Sequence, residues 1–265
     1  MIPRTSFHTH TVYCDGKHTP EEMVKSAISL GFEALGFSGH AYTPCEPEYS
    51  MSPDDTKRYK EEILKLKDKY AGKIDIYCGL ELDYYSEADG EGFDFCIGSV
   101  HYIEKNGVIY PVDASEELFL KAADAFGGIY GFTKAYYELL SKIVEKTNPD
   151  IIGHFDLVTK FNEGERLFSE ADPEYTLPAH NAMDILLKEN RVFEINTGAM
   201  SRGYRKSPYP SSSLTRRLIE NGAKIIVTSD CHDAAMLDFG YAEIEKSPDI
   251  ELIEKSLVSY KEIVK

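Results

Sequence analysis

No stretch of the chain approaches the roughly 18 consecutive apolar residues that a membrane-crossing helix needs. The opening residues, MIPRTSFHTH, lack the apolar centre of a secretory leader. A membrane partner is therefore not expected. Cysteine is scarce and unpaired in pattern: five residues, at 14, 45, 78, 96 and 231, with no Cys-X-X-Cys among them. An odd set so spaced argues against a disulfide framework and makes a reducing cytoplasm the expected home. Positive charge is also short, with 29 basic residues against 45 acidic ones and a net charge of −16. A protein that grips a nucleic-acid backbone usually shows a basic face, so nucleic acid is not an expected partner. A dense metal site, however, would bring its own positive charge, and the balance points to a small substrate. Low-complexity tracts are absent as well.

What the chain does have is a series of seven histidine and carboxylate clusters at the ends of apolar runs. In order they are SFHTHTVYCD (His8, His10, Asp15), GFSGH (His40), CGLELD (Glu81), CIGSVH (His101), IIGHFD (His154), FEINTG (Asn196) and IIVTSDCH (Asp230, His232). Imidazole nitrogen and carboxylate oxygen are the donors that zinc, manganese and iron take. Nine such candidates are too many for one ion, so the pattern predicts a multinuclear metallohydrolase. Residues i and i+2 of a strand share a face, which lets His8 and His10 chelate one ion and gives Asp230 and His232 the same geometry. Glu81, inside an apolar strand, is costly to bury unless it is paired or bound to a cation. Asn196 is a poor ligand for these ions and is placed behind them. His18, at a helix entry, and His180, mid-helix, are expected to be capping or surface residues, and the tyrosine-rich run 130–137 to be packing.

The clusters sit in an alternation of strands and helices without a clear linker. Strands are expected at 5–10, 34–38, 74–82, 93–101, 151–154, 192–197 and 224–229. The first helix opens at Thr19-Pro20-Glu21-Glu22, a capping box with proline at its first position, and closes at Gly31. Ser52-Pro53-Asp54-Asp55 opens a second that runs towards Tyr70. Others are expected at 115–126, 130–147, 173–189, 212–221 and 249–264. Seven strand-then-helix passes predict an α/β fold, a distorted (β/α)7 or (β/α)8 TIM-like barrel of one domain over residues 1–265, with an open doubly wound sheet as the competitor. The ligands favour the barrel. All seven strands end in a polar or ligand-type residue, and a barrel gathers these at its C-terminal mouth, whereas an open sheet concentrates its site near one switch point. At that mouth Arg202, with Arg205 and Lys206 in NTGAMSRGYRK, and Lys160 in FDLVTK, are the basic side chains available to hold phosphate. Glu163 is an acidic residue available to a cationic part of a substrate.

The motifs FHTHTVYCDG, GFSGH, GLELD, GSVHY, GHFD, EINTG and TSDCH resemble, in order and spacing, those of the polymerase and histidinol phosphatase (PHP) superfamily. The likeness runs from Ser6 to about His232 and is nearest to the stand-alone histidinol-phosphate phosphatases. It implies a distorted (β/α)7 barrel with a trinuclear site of divalent zinc, manganese or iron. The implied first ion takes His8, His10, Glu81 and Asp230, the second Asp15, His40 and His232, and the third Glu81, His101 and His154. Asp15 stands where many members carry histidine. The implied activity is release of phosphate from L-histidinol phosphate, with Glu81 bridging ions and Asp230 or His232 giving the leaving group its proton. The alternatives are another phosphoesterase of the superfamily, acting on a different small ester or on nucleic acid, and a barrel that binds metal without catalysis. Acidic charge, stand-alone length and the absence of polymerase or helix-hairpin-helix segments argue against a nuclease. A non-catalytic barrel predicts eroded ligands, and all nine positions are filled. An amidohydrolase would usually carry a lysine at a strand end, and none is found.

Overall fold

The computed structural model describes residues 1–265. Seven parallel strands lie in the order β1 (Thr5–Ser6), β2 (Ala34–Phe37), β3 (Asp75–Asp83), β4 (Phe95–Ser99), β7 (Ile151–Ile152), β8 (Val192–Asn196) and β9 (Lys224–Thr228). Residues just beyond the two outer strands close the ring: Thr9 bridges Cys231, with His10 N donating to Cys231 O at 2.9 Å and Cys231 N to His8 O at 3.1 Å. The result is a nearly closed α/β barrel. An antiparallel hairpin, β5 (Tyr102–Lys105) and β6 (Val108–Pro111), interrupts the alternation after β4.

Register determines what faces inward. Gly79 pairs with Phe95, Glu81 with Ile97, Ile97 with Ile151, Ile151 with Val192, and Glu194 with Ile226. Because side chains alternate along a strand, one face carries Phe95, Ile97, Ile151, Val192 and Ile226 towards the strand starts and Glu81 and Glu194 towards the strand ends. The apolar residues pack together with Phe7 and Ile263. Two glycines make this narrow interior possible: a Cβ on Gly36 would stand 2.7 Å from the Phe7 ring, and one on Gly79 2.6 Å from Phe95. The barrel therefore has a dry lower half and a polar mouth.

The helices pack outside. α1 (Pro20–Ser29) begins at Thr19, whose hydroxyl accepts from Glu22 N while Glu22 reaches back to the Thr19 backbone. It buries Met23, Val24 and Ala27. α2 (Pro53–Lys69) is capped by Ser52, whose hydroxyl accepts from Asp55 N, and buries Tyr59, Ile63 and Leu66. No helix follows β3, which is the distortion of the barrel. Instead three helices follow the hairpin, α3 (Glu116–Ala125), α4 (Ile129–Leu140) and α5 (Ile143–Thr147). α6 (Pro173–Leu186) packs against α4, and α7 (Gly198–Ser201), α8 (Ser212–Glu220), α9 (Tyr241–Glu245) and α10 (Ile250–Ser256) complete the layer.

Several expectations shift. The first strand is two residues long, and beyond Ser6 the pairing continues only as isolated contacts, Ser38 N to Thr9 O and His10 N to Cys231 O, around His8 and His10. The single helix expected at 130–147 is two, parted at Ser141, whose hydroxyl bonds back to Glu138 O. The tail is α-helical only to Ser256, with a single 3-10 turn at Tyr260–Glu262. Val258 N then bonds Ile225 O, and Tyr260 and Ile263 close over the apolar end of the barrel beside Phe7. The hairpin was not anticipated, although its turn, Asn106-Gly107, takes positive φ at both residues and is a sequence signal for such a loop.

Candidate metal centre and active site

Glu81 is the hub. It projects from β3 into the mouth, 1% exposed, and five imidazoles surround its carboxylate. Oε2 lies 3.1 Å from His8 Nε2, 3.0 Å from His40 Nδ1 and 3.5 Å from His10 Nε2. Oε1 lies 3.0 Å from His154 Nε2 and 3.5 Å from His101 Nε2, and accepts from Ser99 Oγ at 2.7 Å. Asp230, held at positive φ just beyond β9, brings Oδ1 to 3.4 Å from His10 Nε2 and 3.6 Å from His8 Nε2. On the outer side Asp15 meets His232 Nε2 at 3.1 Å and His40 Nε2 at 3.7 Å.

The donors form four overlapping groups: His10, Asp15, His40 and His232; His8, His10 and Asp230; His8, Glu81 and His154; His40, Glu81 and His101. All nine residues singled out in the sequence are among them. The groups share members, so they assign no residue to a single ion. Buried donor atoms here lack partners: His8 Nε2, His10 Nε2, Glu81 Oε2, His154 Nδ1 and Asp15 Oδ1 make no hydrogen bond. Leaving buried polar atoms unmet costs roughly 1–3 kcal/mol each, and divalent cations among the donors would satisfy His8 Nε2, His10 Nε2, Glu81 Oε2 and Asp15 Oδ1, while His154 turns its other nitrogen, Nε2, to Glu81. Nitrogen and carboxylate oxygen at this density fit zinc, manganese or iron.

Charge in the cluster is strongly coupled. Burial opposes ionisation of Glu81, yet His8, His40, His101 and His154 hold its carboxyl well below the usual range. Burial works against the charged form of His101 too, and Glu81 and Asp83 outweigh it, raising that imidazole to about 9. His232 moves the other way, lowered by burial and by the neighbouring His10, with which it stacks at 4.0 Å.

Two carboxylates behind the donors escaped the sequence analysis. Glu194, fully buried on β8, places Oε2 2.8 Å from His8 Nδ1 and accepts from Asn196 Nδ2. Asp83 stands 3.3 Å from His101 Nδ1 and accepts from His101 N at 2.7 Å. Such carboxylates fix which nitrogen of an imidazole is left free for a metal. The signal for Glu194 was present, since a glutamate inside the apolar VFEIN strand is as anomalous as Glu81 in CGLEL. Asn196, which the sequence placed behind the ions, supports Glu194 in turn and accepts from Gly198 N at 2.8 Å. Glu194→Gln should weaken metal retention about 10- to 100-fold, read as the chelator concentration that strips half the metal. Wild-type retention would reduce Glu194 to packing.

The cluster opens on a cavity of about 260 Å³, with Arg202 and Lys160 on its wall. Arg202 Nη2 donates to Asp230 Oδ2 at 3.0 Å, and Nη1 lies 3.1 Å from His232 Nδ1. Close approach is required here, because a Cβ on Gly198 would fall 2.6 Å from Asp230 Oδ2. Lys160 Nζ donates to Asp113 O at 2.7 Å and to Asp113 Oδ2 at 2.9 Å. Arg205, expected among the phosphate contacts, does not line the cavity. Its guanidinium is buried, donates to Thr159 O at 2.9 Å and stands 3.5 Å from Glu170 Oε1. The loop after α7 turns it inward, where it lies against the half-buried Glu170. Lys206 is exposed, and its backbone N–H bonds Glu163, so neither faces the mouth. His18 accepts from Ala234 N at 3.2 Å, and His180 lies on α6, outside the cluster.

Comparison with known proteins agrees with this architecture. The chain is 27% identical over 261 residues to histidinol-phosphatase of Bacillus subtilis, an alignment covering 89% of this chain and 95% of that protein. The structure of HisK from Listeria monocytogenes superposes with a TM-score of 0.81 at 24% identity, over 90% of this chain and 99% of that one. Histidinol phosphate phosphatase (HisK) from Lactococcus lactis, solved with zinc, L-histidinol and phosphate, gives 0.67 at 23% identity, over 97% and 94%. At these identities the two structures bear on the fold alone. The PHP domain model matches residues 6–198, which hold seven of the nine cluster residues. The chain belongs to the PHP domain family.

Proposed function

We propose that this chain is a single-domain, cytoplasmic phosphomonoesterase that hydrolyses L-histidinol phosphate to L-histidinol and phosphate at a site of three divalent ions, zinc, manganese or iron. One observation carries the reading. Five imidazoles converge on one buried carboxylate, three of them (His8, His10 and His154) with a ring nitrogen that has no partner, and the cluster borders a small cavity with two cationic side chains on its wall. The names borne by the relatives supply the substrate. No helix is long and apolar enough to cross a membrane.

The nine residues His8, His10, Asp15, His40, Glu81, His101, His154, Asp230 and His232 would hold the ions. Bound divalent ions lower the pKa of water to near neutrality and offset the charge of a phosphate dianion. The chain's own residues do the rest. Arg202, anchored on Asp230, offers its planar N–H fork to phosphate oxygens. Lys160 is steered by Asp113 to the same cavity. Of the two residues expected to serve the leaving group, Asp230 is kept ionised because Arg202 and His8 outweigh its burial, and His232 has Arg202 Nη1 3.1 Å from its Nδ1, which would leave Nε2 for an ion. The cavity size favours a small ester over a polymer.

The test is steady-state phosphate release from L-histidinol phosphate beside p-nitrophenyl phosphate and a short single-stranded DNA, with metals counted in the same sample. A kcat/KM for histidinol phosphate of about 10⁴ M⁻¹s⁻¹ or more, far above the other two, is the expected result. Equal and weak turnover of all three would sink the substrate assignment. Arg202→Ala should raise KM for phosphate monoesters at least about tenfold, the worth of one charge-assisted hydrogen bond. An unchanged KM would leave Arg202 as a brace for Asp230 only.

A further inference from the structure

The cavity has a second wall, built by the segment between β2 and α2 and by the hairpin β5–β6, and its chemistry differs from that of the metal floor. Thr43, Glu46, Tyr49 and Ser50 come from the first, Tyr102 and Asp113 from the second. The β2–α2 segment is braced internally. Thr43 N donates to Ser50 Oγ at 3.2 Å, Glu46 N to Thr43 O at 3.0 Å, and Ser50 Oγ to Glu46 O at 3.1 Å. Glu46 is thus held by its backbone at the rim of the cavity.

The carboxylates on the cavity wall differ in their partners. Asp15, Glu81 and Asp230 lie among imidazoles, Asp83 holds His101, and Asp113 holds Lys160. Glu46 alone has neither a hydrogen bond nor an ion pair to its side chain, although Arg202 and Lys160 line the same cavity. Both cations are committed to other acids. A half-buried carboxylate without a counter-charge, facing a site whose other end is built for phosphate, is complementary to a ligand that is anionic at one end and cationic at the other. Burial and nearby Glu48 raise its carboxyl above the ordinary value, as expected where no cation of the chain's own is at hand.

We propose that Glu46 binds the ammonium end of the substrate, so that the enzyme selects phosphate monoesters carrying a protonated amine a few bonds from phosphorus. The proposal rests on the phosphomonoesterase reading and deepens it.

Two esters of matched length, O-phosphoethanolamine and propyl phosphate, differ mainly in the ammonium group. Metal-loaded wild type should favour the amine ester in kcat/KM by about tenfold or more, the value of one charged hydrogen bond. In Glu46→Gln the ratio of the two kcat/KM values should fall towards one, and in Glu46→Lys it should invert. A ratio unchanged by Glu46→Gln overturns the proposal and leaves the phosphatase reading standing, as does an equal loss on both esters. Calorimetric binding of O-phosphoethanolamine to the same proteins separates the two claims. An ester bound by wild type about tenfold tighter than by Glu46→Gln, yet not turned over, retires the phosphatase reading and keeps the role of Glu46. Equal affinity overturns the role.

Discussion

Glu81→Ala should abolish turnover, by at least about 10³-fold in kcat, and should leave the purified protein short of metal. The expectation follows from position. Both oxygens of this carboxylate are used, one towards His8, His10 and His40, the other towards His101 and His154. No other acid in the mouth spans both sets, so loss of Glu81 separates donors that a shared anion now holds together. Glu81→Gln keeps the volume and one oxygen but removes the charge, and it should fail nearly as badly. Removing one partner of a buried charge cluster is itself destabilising, by roughly 3–5 kcal/mol, so activity and metal content of Glu81→Ala are to be read below its lowered melting temperature, where the chain is still folded. Normal activity with full metal in either variant would remove Glu81 from the bridging role.

The degree to which the sequence foretold this site depends on how local each determinant is. His8 and His10 were readable because alternation along an extended chain is a two-residue property, and Glu81 because a charge inside an apolar strand needs a counter-charge wherever the strand lies. The caps at Thr19 and Ser52 are equally local and appear as expected. The barrel followed from the distribution of ligands over all seven strand ends. Loops carried the misses. Arg202 and Arg205 are three residues apart in one segment, yet the first faces the mouth and the second is buried on Thr159 and Glu170. The path of a loop backbone decides that, and it has no period to read. Asp113 and Tyr102 reach the cavity only through the hairpin, whose Asn106-Gly107 turn was overlooked among the strand ends. The gathering of donors from different strands is non-local altogether, since His10 and His232 meet across 222 residues of sequence.

Removal of metal should cost the fold more as pH rises. Ions bound to the native state alone at about 1,000 times their Kd add roughly 4 kcal/mol. At about 2–4 °C per kcal/mol for a chain of this size, stripping them should lower the melting temperature by on the order of 10 °C. The pH dependence comes from the imidazoles. In the metal-free chain His101 is raised to about 9, because Glu81 and Asp83 outweigh its burial. His8 is also raised, its burial outweighed by Glu194, Glu81 and Asp230. A histidine whose folded pKa exceeds the unfolded value of about 6.5 contributes fully below that value. Its contribution fades as pH climbs through the folded pKa, here across about 6.5 to 9. Glu81 and Asp230 are shifted down, so their contribution is constant over this window. Metal binding needs the same nitrogens deprotonated and strengthens as pH rises. The metal-free form therefore weakens where the loaded form tightens. Thermal scans with and without chelator at pH 6.5, 7.5 and 9 should show the gap widening at each step, and a gap independent of pH would mean that these imidazoles are not the ligands.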